Sequence, residues 1–292
     1  MQPFHCLASS ISLKAPSFLN QDGNVPFFDW LSNSILVSIF VSTFVIWFCR
    51  RATRHMTVVP GPEQNRFEAI VQALYDMLEG IVGSRMIGRT FSLFATLFIF
   101  ILASNWFGLL PGVGSIGWGD AGEKVGDFRS LEHIATPLLR PTTADLNMTL
   151  AMALIFMCLW FYWTLSEVGL KQFIVHLFGV KGGLTGIISL LLIPIFLFVG
   201  VMEVVSIVFR PVSLSLRLFG NVFAGENLLS SMITLGSELN LPTWVSYIAS
   251  VTLPVPFYFL ELLVGVLQAF VFMLLCAVYL QLSTSHDEDE AH

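Results

Sequence analysis

Five stretches of this chain run without a charged side chain: Ile35–Cys49, Phe91–Leu110, Met148–Leu165, Ile187–Met202 and Val245–Leu260. Crossing a hydrocarbon layer of about 30 Å takes about 17–25 helical residues, and most of the runs approach that length. A soluble core helix rarely needs so many residues without a charge. The composition agrees, with 55% hydrophobic residues, 27 Phe and only 12% charged side chains, a balance that no water-solvated domain of this size requires. The reading is an all-α polytopic membrane protein of five passes.

Charge placement orients the passes. The first ends at Cys49 and is followed by Arg50, Arg51 and Arg54, with Arg66, Arg85 and Arg89 before the second, whereas the preceding segment holds only Lys14. The positive-inside rule then puts the N-terminus outside and, after five passes, the C-terminus inside. Between the first two passes, Phe67, Ile70, Val71, Leu74, Leu78 and Ile81 recur at helical spacing, with Glu68, Gln72, Asp76 and Glu79 elsewhere around the wheel. This predicts an amphipathic helix at the membrane surface. Residues 112–140 are Gly-rich and mixed in charge, an outside loop, while Lys171 and Lys181 lie on the inside. Residues 1–29 form an outside N-terminal segment without the basic start and apolar core of a signal peptide. A single transmembrane domain covers 30–282, and an acidic, solvated tail covers 283–292, the terminus of a chain of net charge −6. Cys49, Cys158 and Cys276 sit in apolar runs as packing residues.

Two long arms close the chain. From Ile187 to Leu235 the charges are Glu203, Arg210, Arg217 and Glu226, and from Thr243 to Leu282 the one charge is Glu261. As straight helices they would reach about 73 and about 60 Å, at least twice the apolar thickness, so each must tilt steeply or break. The turn-like "GSELNLP" between them predicts an antiparallel hairpin, with Pro194, Pro211, Pro254 and Pro256 as kink positions.

An arginine inside a membrane arm points to function, because a charge there costs several kcal/mol or more. Arg217 shares its helical face with Gly220, Asn221, Ala224 and Leu228, mostly small neighbours that allow another helix to come close. Glu226, nine residues on, falls on the opposite face and is no intrahelical partner. On the last arm Glu261, Gly265, Gln268 and Phe272 form one stripe, which the hairpin would turn towards Arg217, Asn221 or Glu226. Glu203 and Arg210 are as compatible with scaffold as with function. No nucleotide-binding glycine pattern and no sustained repeat is present, which argues against a nucleotide enzyme or a duplicated transporter.

The segments "SLSLRLFGNVFAGE" and "LQAFVFMLLCAVYL", with "TADLNMTLAMAL" at 143–154, resemble subunit a of F-type ATP synthase. The resemblance is most specific in the last hundred residues and extends over about 30–282. It implies a proton-conducting stator subunit, not itself an enzyme, that passes ions through two half-channels to and from the carboxylates of a c-subunit ring. Arg217 would be the essential charge facing that ring. Glu226, Glu261, Asn221, Gln268, Asp145 and Asn147 would line the outside path, and Glu203 and Ser213 the inside one. Many relatives place a His with a Glu where this chain has Glu226 and Glu261, so two carboxylates would share a proton and sodium coupling stays open. The implied partners are the c ring, the b subunits of the peripheral stalk, the other synthase subunits and membrane lipid, with no nucleic acid, cofactor or metal. The implied location is a bacterial inner membrane, with the mitochondrial inner or thylakoid membrane as alternatives. A self-contained ion channel or secondary transporter is the competing reading.

Overall fold

A computed structural model describes residues 33–54, 56–57, 61–110, 113, 117–125, 128–137, 140–178, 187–239 and 242–284. The expectations for segment 1–29 and for most of the acidic tail lie outside these residues. In chain order the elements are α1 (Asn33–Ala52), α2 (Pro62–Val82), α3 (Ser84–Gly108), β1 (Gly117–Val125), β2 (Phe128–Pro137), α4 (Leu146–Val168), α5 (Leu170–Phe178), α6 (Ile187–Glu238), α7 (Thr243–Thr252) and α8 (Pro254–Thr284). A single 3-10 turn, Thr142–Ala144, precedes α4.

Five segments are helical, long and apolar enough to cross a membrane: Asn33–Ala52, Ser84–Gly108, Leu146–Val168, Pro194–Ile233 and Trp244–Thr284. They match the five expected passes. The expected amphipathic helix is α2, where Pro62 occupies the first turn and needs no N–H partner. Gly83 ends it at φ +85°, a conformation that side chains disfavour, and donates its N–H to the Glu79 carbonyl. Gly169, at φ +83°, likewise separates α4 from α5, a helix the sequence reading did not separate from its inside segment.

The long arms are compatible with the expectation that each tilts or breaks, and the loop adds one element. The first arm does not break: α6 is continuous through Pro194 and Pro211. In the second arm α7 ends at Thr252 and α8 starts at Pro254, which has no N–H to donate, while Leu253 between them keeps helical dihedrals and donates to the Ala249 carbonyl at 2.9 Å. Within the expected loop, β1 and β2 pair antiparallel from Gly117↔Pro137 to Val125↔Phe128, with irregular register between. The protein is thus helical throughout its membrane segments, with one small ribbon between α3 and α4.

Contacts divide the chain into two compact units, with α3, α4, α6 and α8 contributing to both. The first comprises α1, α3 from Phe98, the ribbon, the 3-10 turn, α4 to Thr149, α6 from Leu218, α7 and α8 to Ala269. There α1 packs on the 3-10 turn and buries Asn33, Ser34, Val37 and Val41. The second comprises α2, α3 to Leu97, α4 from Leu150, α5, α6 to Arg217 and α8 from Phe270. Phe94, Phe156 and Trp160 fill its core, and Phe94 also meets Trp163 edge-on at 6.5 Å. Apolar side chains gain little by leaving lipid, so close packing and hydrogen bonds have to hold such units together.

Candidate ion-conducting site

In the first unit, α6 and α8 meet through polar side chains. Asn221 Nδ2 donates to Gln268 Oε1 at 2.7 Å. One turn further along α6, a β-carbon on Gly225 would coincide with the carboxylate of Glu261. Because 221 pairs with 268 and 225 with 261, the helices run antiparallel here, as the hairpin required. Glu226, half-buried beside Gly225, feels attraction from Arg140 and repulsion from Glu261. Arg140 is 6% exposed, in the segment leading into the 3-10 turn.

Asp145 is also buried, and its position explains where α4 starts. Its Oδ1 accepts the Asn147 N–H at 3.0 Å, an N-cap that satisfies one otherwise free donor, and its carbonyl accepts the first intrahelical bond from the Thr149 N–H at 3.1 Å. Asn147 itself is exposed. On α3, buried Asn105 donates from Nδ2 to the Gly265 carbonyl of α8 at 3.1 Å. Its Oδ1 accepts the Thr143 hydroxyl at 2.8 Å. Ser34 Oγ, Ser104 Oγ, Thr142 Oγ1 and Gln268 Nε2 are buried without a hydrogen-bond partner among the described residues. Polar atoms of this kind ordinarily bond to water.

The second unit holds the cations of α6. Arg217 is exposed, together with Ser213 and Leu216, and makes no hydrogen bond or ion pair among the described residues. Arg210 is enclosed instead: its guanidinium lies 5.5 Å from the Trp160 ring centroid and 4.8 Å from that of Tyr279. Trp160 Nε1 donates to the Tyr279 carbonyl at 3.0 Å, fixing one ring of the clamp. Half-buried Glu203, seven residues before Arg210, attracts it electrostatically. Elsewhere in the unit Glu167 accepts from Arg85 at 2.6 Å and from Arg89 at 2.8 Å.

The sequence profile of the family described as ATP synthase A chain matches residues 33–281. The chain belongs to that family. Relatives named ATP synthase subunit a include that of Gluconacetobacter diazotrophicus, 33% identical over 259 residues, 87% of this chain and 89% of the relative. That of Mycobacterium ulcerans is 30% identical over 269 residues, 89% and 92% of the two chains. That of Wigglesworthia glossinidia brevipalpis is 28% identical over 280 residues, 96% and 91%. With its five apolar spans, the chain is an integral membrane protein.

The geometry brings together Glu226 with Glu261 and Asn221 with Gln268, two of the meetings that the hairpin left open, although Glu226 is not on the stripe of Arg217 and Asn221. Arg217, Glu203 and Ser213 belong to the other unit. The α8 stripe does not face a single neighbour: Gly265 turns to α3, where an added Cβ would lie 3.3 Å from Asn105 Cβ. Phe272 is buried in the second unit. Four participants escaped the sequence reading. Asn105 and Arg140 lack a periodic partner, Gly225 acts through having no side chain, and the Trp160–Arg210–Tyr279 clamp joins residues 50 and 119 positions distant from Trp160. The signal that could have found Asn105 is a lone amide inside an apolar run.

Proposed function

We propose that the chain is the proton-conducting stator subunit of a rotary F-type ATP synthase, and that Arg217 is its fixed charge opposite the carboxylates of a c-subunit ring. The observation that carries this reading is Arg217 itself, a permanent cation exposed on an apolar membrane arm and unpaired among the described residues. Such a charge is tolerated only where another component supplies a counter-charge. A rotor carrying one carboxylate after another past this face would do so in turn.

In the synthesis direction a proton enters from the outside along Asp145, Asn147, Asn221, Gln268 and the Glu226–Glu261 pair. It neutralises a ring carboxylate as that group leaves Arg217, and the neutral group rotates into lipid. After a turn the ring carboxylate gives up its proton to the inside path at Glu203 and Ser213. Ionised again, it pairs with Arg217, whose field also repels a proton trying to pass directly between the paths. The buried, unpartnered hydroxyls of Ser34, Ser104 and Thr142 support a hydrated outside path. ATP would be made on a separate catalytic head, with b subunits holding this subunit still. The N-terminus would lie outside and the C-terminus inside an energy-coupling membrane, a bacterial inner membrane by the character of the motif.

The test is ATP synthesis by the reconstituted complex under a pH gradient without sodium. Arg217→Ala should leave the ring copurifying but lower synthesis at least about a hundredfold, the effect of losing a few kcal/mol of charge pairing. Normal coupled synthesis in that variant would sink the assignment. Transport by the chain purified without any ring would favour a self-contained transporter.

A further inference from the structure

We infer that Asn105 is a positioning residue for the ion path, setting the rotation of α8 about its axis from a third helix. The inference rests on the functional reading above, but its geometry stands apart from it. The Asn105 side chain is 6% exposed and uses both ends of its carboxamide. One end donates to the Gly265 carbonyl at 3.1 Å and the other accepts the Thr143 hydroxyl at 2.8 Å. Thr143 is fully buried in the 3-10 turn on which α1 packs, so the bond is anchored on a fixed element.

Gly265 is where the latch has the greatest effect. It lies one turn after Glu261 and three residues before Gln268, between the two side chains that α8 presents to α6. The glycine lets α3 come so close that an added Cβ would be 3.3 Å from Asn105 Cβ and 3.8 Å from Trp106 Cδ1. A helix can turn about its axis by sliding apolar side chains over one another at little cost in lipid. A main-chain carbonyl bonded from the side cannot turn without breaking that bond. Held there, Gln268 stays against Asn221 and the Glu261 carboxylate stays in the slot at Gly225. Asn105 need not touch the moving proton. It decides which face of α8 the proton meets.

The experiment reads α8 rotation directly, by oxidative cross-linking in the assembled complex after Cys6, Cys49, Cys158 and Cys276 are replaced by alanine. Asn221→Cys with Gln268→Cys should cross-link in an otherwise native background, and Asn221→Cys with Val264→Cys or Val271→Cys should not. Adding Asn105→Leu should lower the 221–268 yield relative to the neighbouring pairs by about tenfold, the ratio that one lost buried hydrogen bond of about 1.4 kcal/mol gives. In the native-cysteine background the same substitution should lower ATP-driven proton pumping per assembled complex. Thr143→Val removes only the anchoring hydroxyl and serves if Asn105→Leu fails to assemble; it should shift the pattern in the same sense, and Thr143→Ser should restore it. An unchanged pattern in assembled Asn105→Leu or Thr143→Val overturns the proposal, as does a uniform loss of all cross-links. Because cross-linking does not require proton transport, that failure is distinct from a failure of the Arg217 test.

Discussion

The two units meet the same problem, polar groups inside an apolar medium, with different surroundings. The second unit immobilises its buried cation: Arg210 is stacked between Trp160 and Tyr279, and one ring is bonded to the other's main chain. The first unit leaves its polar groups linked but unsaturated. Asn221, Gln268, Asn105, Thr143 and Asp145 bond to one another or to backbone, while Ser34, Ser104, Thr142 and the Gln268 amide nitrogen keep spare capacity. Arg210 Nη1 and Thr164 Oγ1 of the second unit are likewise buried without a hydrogen-bond partner among the described residues, so the units differ in what surrounds their polar groups: aromatic rings in one, amides, hydroxyls and carboxylates in the other. In the proposed function the Arg210 clamp is a holding device and the surroundings of Glu226 and Glu261 belong to the outside path, while Arg217, Glu203 and Ser213 of the second unit keep their own part in transfer.

The largest test of that contrast is Gly225→Val. A branched side chain there would displace the Glu261 carboxylate, and ATP-driven proton pumping by the assembled complex should be abolished; normal pumping would show that Glu261 does not need the slot. A change of intermediate size falls on the Arg210 clamp. Trp160→Leu removes a fully buried ring, one aromatic face of the Arg210 clamp and a hydrogen bond, at a cost of about 3 kcal/mol. Thermal unfolding of the detergent-solubilised complex should move to lower temperature while turnover per assembled complex is unchanged, and a loss of turnover with unaltered stability would overturn the reading of the clamp as a holding device. The smallest effect is expected from Glu167→Gln, which breaks ion pairs whose Arg85 and Arg89 side chains are 81% and 65% exposed. The same unfolding measurement should show a loss below about 1 kcal/mol that vanishes in high salt.

How far the sequence revealed these features follows from the range of each signal. Apolar runs report a local property, burial in lipid, and they located all five spans, although the runs ending at Met202 and Leu260 stopped well short of Ile233 and Thr284 because charged side chains interrupt the last two arms. Helical spacing likewise put Glu261 and Gln268 on one stripe of α8, and the hairpin left Arg217, Asn221 or Glu226 as the groups that stripe could meet. The pattern could not tell that Gly265, on the same stripe, belongs to α3, because a stripe gives a direction and not the neighbour that fills it. Asn105 bonds to partners 38 and 160 positions away. No period links them. Arg140 sits in an irregular segment, and the β1–β2 ribbon lies in a stretch rich in Gly and charge with no alternating pattern. Proline was an ambiguous guide too: Pro254 starts a helix, while Pro194 and Pro211 are absorbed inside one.

The slot at Gly225 has a consequence for how substitutions in this protein should be interpreted. Residue-by-residue scanning would score Gly225 as though it carried protons, although it has no group that can. Its phenotype would be borrowed from Glu261, so substitutions at 225 and 261 should be strongly non-additive, the second adding almost nothing once the first is made. A shortened acid such as Glu261→Asp should in turn partly relieve Gly225→Ala, making the pair visible as suppressors in a genetic screen.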